Sequence, residues 1–361
     1  MTDTSWSFNP LNILTSFGHL FAQTSNPLNA NSIIKKPNID DLTKFNLIMI
    51  EMNGVLNYKN KPIPIAKEYF NLFKNKTNIP ICIINNNSYK SPKILKKNLK
   101  NQGFKLNNDI KIINNGLLTL NYLNNTIKNN NKILNNTNKI VKIGIIGESD
   151  FFYFIKNNYI LELPNNINLK TKHKKVKFYW IYDNINPNNL DYVIFSQLKK
   201  TETFNTIQER VNKWIINSPK TVFLLTSTIS NQNYNESNIM LNPKELFESS
   251  LINIQKKNVE NYKQLDKNTI LTGKENYKLI KEIIEDDYGI DLTENKLNKE
   301  DKKILLISDN LNIDSKLCDD LNLKYCLVLS GETKIQDINI LDKEKIDKID
   351  YIVPDVSYCL L

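Results

Sequence analysis

Four short polar segments, each set directly after an apolar run, hold the side chains best suited to chemistry. They are Glu51-Met52-Asn53-Gly54, Asn85-Asn86-Asn87-Ser88, Gly273-Lys274, and Ser308-Asp309-Asn310 with Asp314 close behind. Glu51, Asp309 and Asp314 offer the carboxylate oxygens that a hard cation takes. The amides of Asn53, Asn85 and Asn86 can donate hydrogen bonds to an anion, and Lys274 brings a positive charge.

For these segments to meet, the runs before them must lie side by side with their carboxyl ends together. FNLIMI (45–50) and IPICII (79–84) are short and continuously apolar, as buried parallel strands are. Helical stretches follow them over 65–76 and 92–102, and this strand–helix rhythm predicts a parallel sheet with helices on both faces. The rhythm resumes with ILTGK (270–274), a helix over 277–288, KILLISDN (303–310), YCLVLSG (325–331) and DYIV (350–353). Between them, VKIGIIG (141–147), YVIF (192–195) and VFLLT (222–226), with helical segments near Phe151 and Thr206, form a second α/β unit. The predicted division is an aromatic arm over 1–41, a core domain over 42–115 and 268–361, and an inserted unit over 116–267. In an open parallel sheet ligands sit at the carboxyl ends of the strands, where all four polar segments fall.

A chain of 361 residues with 40% apolar content suits two domains and two cores. The formal charge of +10 comes from 48 Lys and Arg against 38 Asp and Glu, with Arg210 the one arginine. The excess reads as a solvated basic surface spread along the chain. It lacks the clustered, aromatic-interleaved pattern of a sequence-reading nucleic-acid site, and nonspecific RNA contact is the expectation. Cys82, Cys318, Cys326 and Cys359 form no C-x-x-C pair and sit mostly in apolar runs, which suggests an intracellular, reducing compartment, cytoplasm or mitochondrion alike. No run of eighteen apolar residues exists to span a membrane. The first thirty residues lack the pattern of a secretory signal. They carry Trp6, Phe8, Leu11, Leu14, Phe17 and Phe21 partly at helical spacing, a surface expected to dock on a protein partner or larger assembly. His19 and His173 have no partners at metal-ligand spacing and read as surface residues, and Gly144-x-x-Gly147 reads as a tight turn rather than a nucleotide loop.

In order and relative spacing, the four segments resemble the four motifs of haloacid dehalogenase phosphatases. The likeness is nearest the p-nitrophenylphosphatase and phosphoglycolate phosphatase branch, whose large α/β cap lies between the second and third motifs. Lys61-Pro62-Ile63-Pro64, Ser88-Tyr89-Lys90-Ser91, Gly147-Glu148-Ser149 and Leu327-Val328-Leu329-Ser330-Gly331 carry it further, and it covers roughly residues 42–361. The resemblance implies a Rossmann-like core with an inserted α/β cap. By the same resemblance, Glu51 stands at the nucleophile position, Asn53 at the acid/base position, and Asn85, Asn86 and Lys274 at phosphate-binding positions. Glu51, Asp309 and Asp314 match the acidic residues that hold or support magnesium.

The departures from that pattern fall on the chemistry. The family's first motif reads Asp-x-Asp-Gly, in which one carboxylate attacks phosphorus and the other transfers a proton to the leaving group. Glu51 is one methylene longer, a displacement of about 1 Å that can cost roughly a hundredfold in rate. Asn53 cannot transfer a proton usefully, which removes a further ~10² to 10⁴. Asn85 replaces a hydroxyl residue, and the magnesium site is weakened by the amide. In the cap, Ser196-Gln197-Leu198, Thr226-Ser227-Thr228-Ile229 and Met240-Leu241-Asn242-Pro243 depart from the family's substrate-selecting sequences. These losses together predict a catalytically inactive, phosphatase-like protein that acts by binding, as a structural subunit of a larger, RNA-containing assembly. The alternative is a slow magnesium-dependent phosphatase of a small phosphorylated metabolite such as phosphoglycolate, working through an acyl-phosphate on Glu51.

Overall fold

The apolar run before Asn53 forms strand β1 (Leu47–Glu51), in which every residue is buried. The other strands of the two main sheets are β2 (Ile81–Asn85), β3 (Lys111–Asn114), β4 (Val141–Ile146), β5 (Val176–Trp180), β6 (Tyr192–Phe195), β7 (Val222–Leu225), β8 (Thr269–Leu271), β9 (Ile304–Ser308), β10 (Lys324–Val328) and β11 (Tyr351–Val353). The computed structural model describes residues 34–37, 39–128, 140–159, 176–183, 185–199, 204–227, 240–256, 268–292, 303–341 and 343–360. The arm through residue 33, which includes His19, lies outside them, as does His173.

β1 pairs in parallel with β9 on one side and β2 on the other, within a six-stranded sheet of order β11-β10-β9-β1-β2-β3. The strands ending at Glu51, Asn85 and Ser308 are therefore neighbours, as their apolar runs predicted. Those runs are continuous because helices cover both faces. Helices α1 (Pro64–Lys76) and α2 (Pro92–Asn101) bury Phe70, Phe73, Leu95 and Leu99 on one face, beside Val356 and Cys359. Each opens with a proline in its first turn, where the missing N–H costs nothing.

Helix α3 (Asn115–Lys128) follows β3 directly and packs toward both sheets, with Leu118 in one core and Leu123 and Ile127 in another. The second sheet has order β8-β7-β6-β4-β5 and is also parallel. Helix α4 (Ser149–Asn158) joins α3 on one of its faces. Helices α5 (Phe204–Ile216) and α6 (Pro243–Lys256) cover the other through Val211, Trp214 and Phe247. Helices α7 (Tyr277–Tyr288) and α8 (Leu311–Asp320) complete the first domain through Ile280, Ile283 and Leu317. The architecture is the expected α/β core with an inserted α/β cap.

Two expectations need correction. β8, assigned from sequence to the core along with residue 268, pairs instead with β7 in the second sheet, Thr269 to Leu271 registering with Phe223 to Leu225. The chain rejoins the first domain only at α7, so Lys274 lies in the crossing between the two. The positive charge, moreover, is not spread along the chain. Residues 52–108 hold eleven lysines and one acid, Glu68, a net charge equal to that of the entire molecule. Their lysines lie on α1, α2 and the adjoining loops, while β2 between the helices carries none, and both helices pack on one face of the first sheet. Helical periodicity hid the cluster: Lys93, Lys96, Lys97 and Lys100 are separated in sequence but fall on one side of α2.

All four cysteines are buried and free, consistent with their reading as small core residues. No helix among the described residues is long and apolar enough to cross a membrane.

Candidate active site

At the carboxyl edge of the first sheet, β1 ends in Glu51, β9 is followed by Asp309, and α8 turns Asp314 back beneath them. Lys274 enters from the crossing segment, held by a hydrogen bond from its backbone N–H to the Asn115 side-chain oxygen at 2.8 Å. Its ammonium contacts Glu51 Oε2 and, at 2.6 Å, Asp314 Oδ1. Only 2% of the Lys274 side chain is exposed. The Ser308 hydroxyl donates to Asp314 Oδ2, which fixes the second oxygen of that carboxylate.

Asp309 is held separately. Its Oδ2 accepts the Glu332 N–H at 2.6 Å, and its carboxylate is wedged between Gly54 and Gly331. A Cβ at either glycine would lie within 2 Å of that oxygen, at 1.9 and 1.8 Å, and Gly54 also has φ +77°. The glycine two residues beyond Met52 is thus required twice, by its turn and by the carboxylate against it.

Burial raises Glu51 to about 8; Lys274 opposes the rise, while Asp314 and Asp309 reinforce it. Burial also raises Asp309, to about 7, partly offset by its bond from the Glu332 N–H. Burial works against charge on Lys274, but Asp314 and Glu51 outweigh it and hold the ammonium above its ordinary value.

These shifts fix a sign for pH dependence. Glu51 moves from 4.5 to about 8 and Asp309 from 3.8 to about 7, so between those values the folded protein holds protons that the unfolded chain releases. Stability contributed by these groups therefore falls as pH rises across that window. Urea unfolding in metal-free buffer should show a midpoint that declines from about pH 5 to about pH 8; a rising midpoint would mean that both carboxylates are ionised in the fold.

The loop after β2 supplies the neighbouring amides. Asn85 is buried; its Oδ1 accepts the Asn87 N–H at 2.5 Å, while its Nδ2 has no partner. An unpaired buried donor of this kind suits an anionic oxygen. Asn86 sits beside it, and its side-chain Oδ1 is buried without a hydrogen-bond partner. Asn53, two residues beyond Glu51, is exposed.

The cap is fastened to this loop by residues whose role the sequence did not disclose. Ser88 N–H donates to Gln197 Oε1 at 3.0 Å, Gln197 N–H donates to Ser88 Oγ at 3.2 Å, and Ser196 Oγ donates to the Ser88 carbonyl at 3.0 Å. Asp150 in α4 adds a bond from the Ser91 N–H at 2.6 Å. Ser196 and Gln197 stand where the family's substrate-selecting sequence would, and here they hold the two domains together. Ser308 and Asn115, which orient Asp314 and Lys274, were likewise not singled out from sequence; the polar residue closing each strand was the signal available.

Carboxylate oxygens are what magnesium takes, and Glu51, Asp309 and Asp314 supply them around one ammonium. Burial chiefly raises Glu51 and Asp309, and repulsion from Asp314 adds to it. Among the described residues no three acidic, His or Cys side chains converge on one point. The ion would rely on Glu51 and Asp309 with carbonyl, water and phosphate oxygens, the usual manner of holding magnesium.

A family profile described as haloacid dehalogenase-like hydrolase matches residues 48–144. No curated protein matches the chain in sequence. Among solved structures, the 4-nitrophenylphosphatase of Thermotoga maritima is similar over 88% of this chain and 97% of its own, with 18% identity and a TM-score of 0.59. The p-nitrophenyl phosphatase of Archaeoglobus fulgidus is similar over 88% and 98%, with 14% identity and a TM-score of 0.59. The glycerol phosphate phosphatase of Mycobacterium tuberculosis, solved in complex with calcium, is similar over 88% and 75%, with 11% identity and a TM-score of 0.58. At these identities the likeness is one of fold, and it agrees with the motif order, the profile match and the capped parallel sheet. Residues 48–144 thus match the haloacid dehalogenase-like hydrolase family, and the chain has the fold of p-nitrophenylphosphatase-like members of that superfamily.

Proposed function

We propose that the chain is a slow magnesium-dependent phosphatase of small phosphorylated compounds, with Glu51 as nucleophile. The observation that carries this reading is the buried contact of one ammonium, Lys274, with both Glu51 and Asp314. The lysine holds the longer glutamate side chain in a defined place, so the extra methylene does not leave the carboxylate loose. The unpaired Nδ2 of Asn85 supplies a donor for a phosphoryl oxygen.

Ionised by loss of its proton to solvent, the Glu51 carboxylate attacks phosphorus, the phosphorus–oxygen bond to the leaving group breaks, the leaving group departs as an oxyanion that takes a proton from solvent, and an acyl-phosphate forms on Glu51. Lys274 offsets the charge of the phosphoryl oxygens in a dry setting. Water then attacks the acyl-phosphate, releasing inorganic phosphate and the free carboxylate, with its proton lost to solvent. Bound magnesium would neutralise further phosphate charge. Asn53 gives no proton to the leaving group and takes none from the water, so both halves are slow. Substrates with stable leaving groups, such as aryl or acyl phosphates, are favoured over alkyl phosphates.

The reading as an inactive binding subunit draws on a specific feature as well, the exposed amide at the proton-transfer position. Steady-state hydrolysis of an aryl phosphate separates the two. Turnover that needs magnesium and disappears in Glu51→Gln is expected; no wild-type turnover above the Glu51→Gln variant would favour the inactive subunit.

A further inference from the structure

The lysines of α1, α2 and the loops beside them have no part in the chemistry above, and two independent features give this layer a ligand. The first is charge without compensation. Among its eleven lysines only Lys74 meets a carboxylate, that of Asp109 at 3.0 Å, in the ion pairs of the described residues. Lys59, Lys61, Lys76, Lys93, Lys97, Lys100 and Lys105 are exposed.

The second is a cavity of about 280 Å³ beside this layer, walled by the carboxamides of Asn57, Asn60, Asn98, Asn101 and Gln102 with Lys90 beside them, and reaching Asn53 in the loop after β1. Asn57 is 4% exposed, yet its Oδ1 has no hydrogen-bond partner, and neither has Gln102 Oε1. Buried acceptors left unpaired call for N–H or O–H donors from a ligand. A phosphodiester has none to give. A nucleobase presents amino and imino donors beside acceptors on one edge, and carboxamides pair with such edges. Tyr58, 43% exposed in the adjoining hairpin, with Lys59 over its ring at 5.4 Å, adds an aromatic face on which a base can stack.

We propose that this layer binds single-stranded nucleic acid, its lysines on the phosphates and one unstacked base in the carboxamide cavity. A duplex keeps its pairing edges occupied and cannot place a base there. An anionic bilayer or an acidic peptide would engage the lysines without bringing the cavity a flat edge of adjacent donors and acceptors. The lysines act without Glu51, so binding is read separately from hydrolysis, although the cavity reaches Asn53.

The test is fluorescence anisotropy with the full chain and a labelled single-stranded RNA of about twelve nucleotides, a length within the usual site sizes. Binding at low salt should weaken steeply as salt rises. The variant Lys93→Glu/Lys97→Glu/Lys100→Glu should lose roughly tenfold or more in affinity and flatten the logarithmic salt slope by about 2. Lys213→Glu/Lys278→Glu/Lys316→Glu, with the same change in charge at exposed sites elsewhere, should bind as wild type does. Asn98→Ala/Asn101→Ala should lose preference among base compositions while keeping the salt slope, with unchanged thermal midpoints marking all variants as folded. Absence of binding at low salt, equal loss in both lysine variants, or polyglutamate or phosphatidylserine vesicles binding as tightly as RNA would each overturn the proposal.

Discussion

Lys274→Met is expected to destabilise the protein by about 3–5 kcal/mol, the usual cost of removing one partner from a buried charge cluster. Methionine fills much of the same volume, so the loss reports charge rather than a cavity. Without the ammonium, Glu51 and Asp314 face each other across a buried space with Asp309 nearby, and folding must protonate or hydrate them. The deficit should therefore be larger at about pH 8 than at about pH 5, where protons can replace the lysine. Glu51→Gln provides the contrast. Burial already favours the protonated form of Glu51, so an uncharged isostere should cost far less than loss of the lysine. Urea unfolding of the three proteins at both pH values measures this. Equal, small losses for both variants would mean that the cluster is hydrated and weakly coupled.

The largest gain should come from Asn53→Asp. Asn53 is exposed, so the substitution leaves the fold undisturbed while restoring a group able to move a proton two residues from Glu51. General acid–base catalysis is worth roughly 10² to 10⁴ in rate, and the gain should be greatest for alkyl phosphates, whose leaving groups need the proton most. Rates across aryl and alkyl phosphates of graded leaving-group basicity should show a steep dependence in wild type and a shallower one in Asn53→Asp. Combining it with Glu51→Asp tests the methylene separately, since residues serving one step are not additive. If Asn53→Asp changes neither rate nor slope, proton transfer does not limit this site.

Much of the core was legible because its strands are short, apolar and immediately followed by polar residues. The strand over 192–195 and the helix over 277–288 match the sequence reading residue for residue. The site followed from the same logic, since neighbouring strands bring Glu51, Asn85 and Ser308 to one edge. What sequence could not supply was partnership between distant segments. β8 is a three-residue strand, and nothing local says which sheet it joins. β5, with its alternating burial at the edge of the second sheet, lacks the continuous apolar run of its neighbours. Ser88 becomes a fastening point only when the cap brings Ser196 and Gln197 onto it. The lysine layer was invisible to a chain-wide average because the residues outside it balance to zero.

Capture of the phosphorylated protein tests the account most directly. Asn53 should slow breakdown of the acyl-phosphate as well as its formation, so rapid acid quenching during turnover of an aryl phosphate with magnesium should leave a phosphoryl group on the peptide containing Glu51. Mass spectrometry should place it there, hydroxylamine should remove it, and Glu51→Gln should carry none. A wild-type protein that hydrolyses the substrate with no modification at Glu51, or that neither turns over nor becomes phosphorylated, would contradict the assignment of Glu51 as nucleophile.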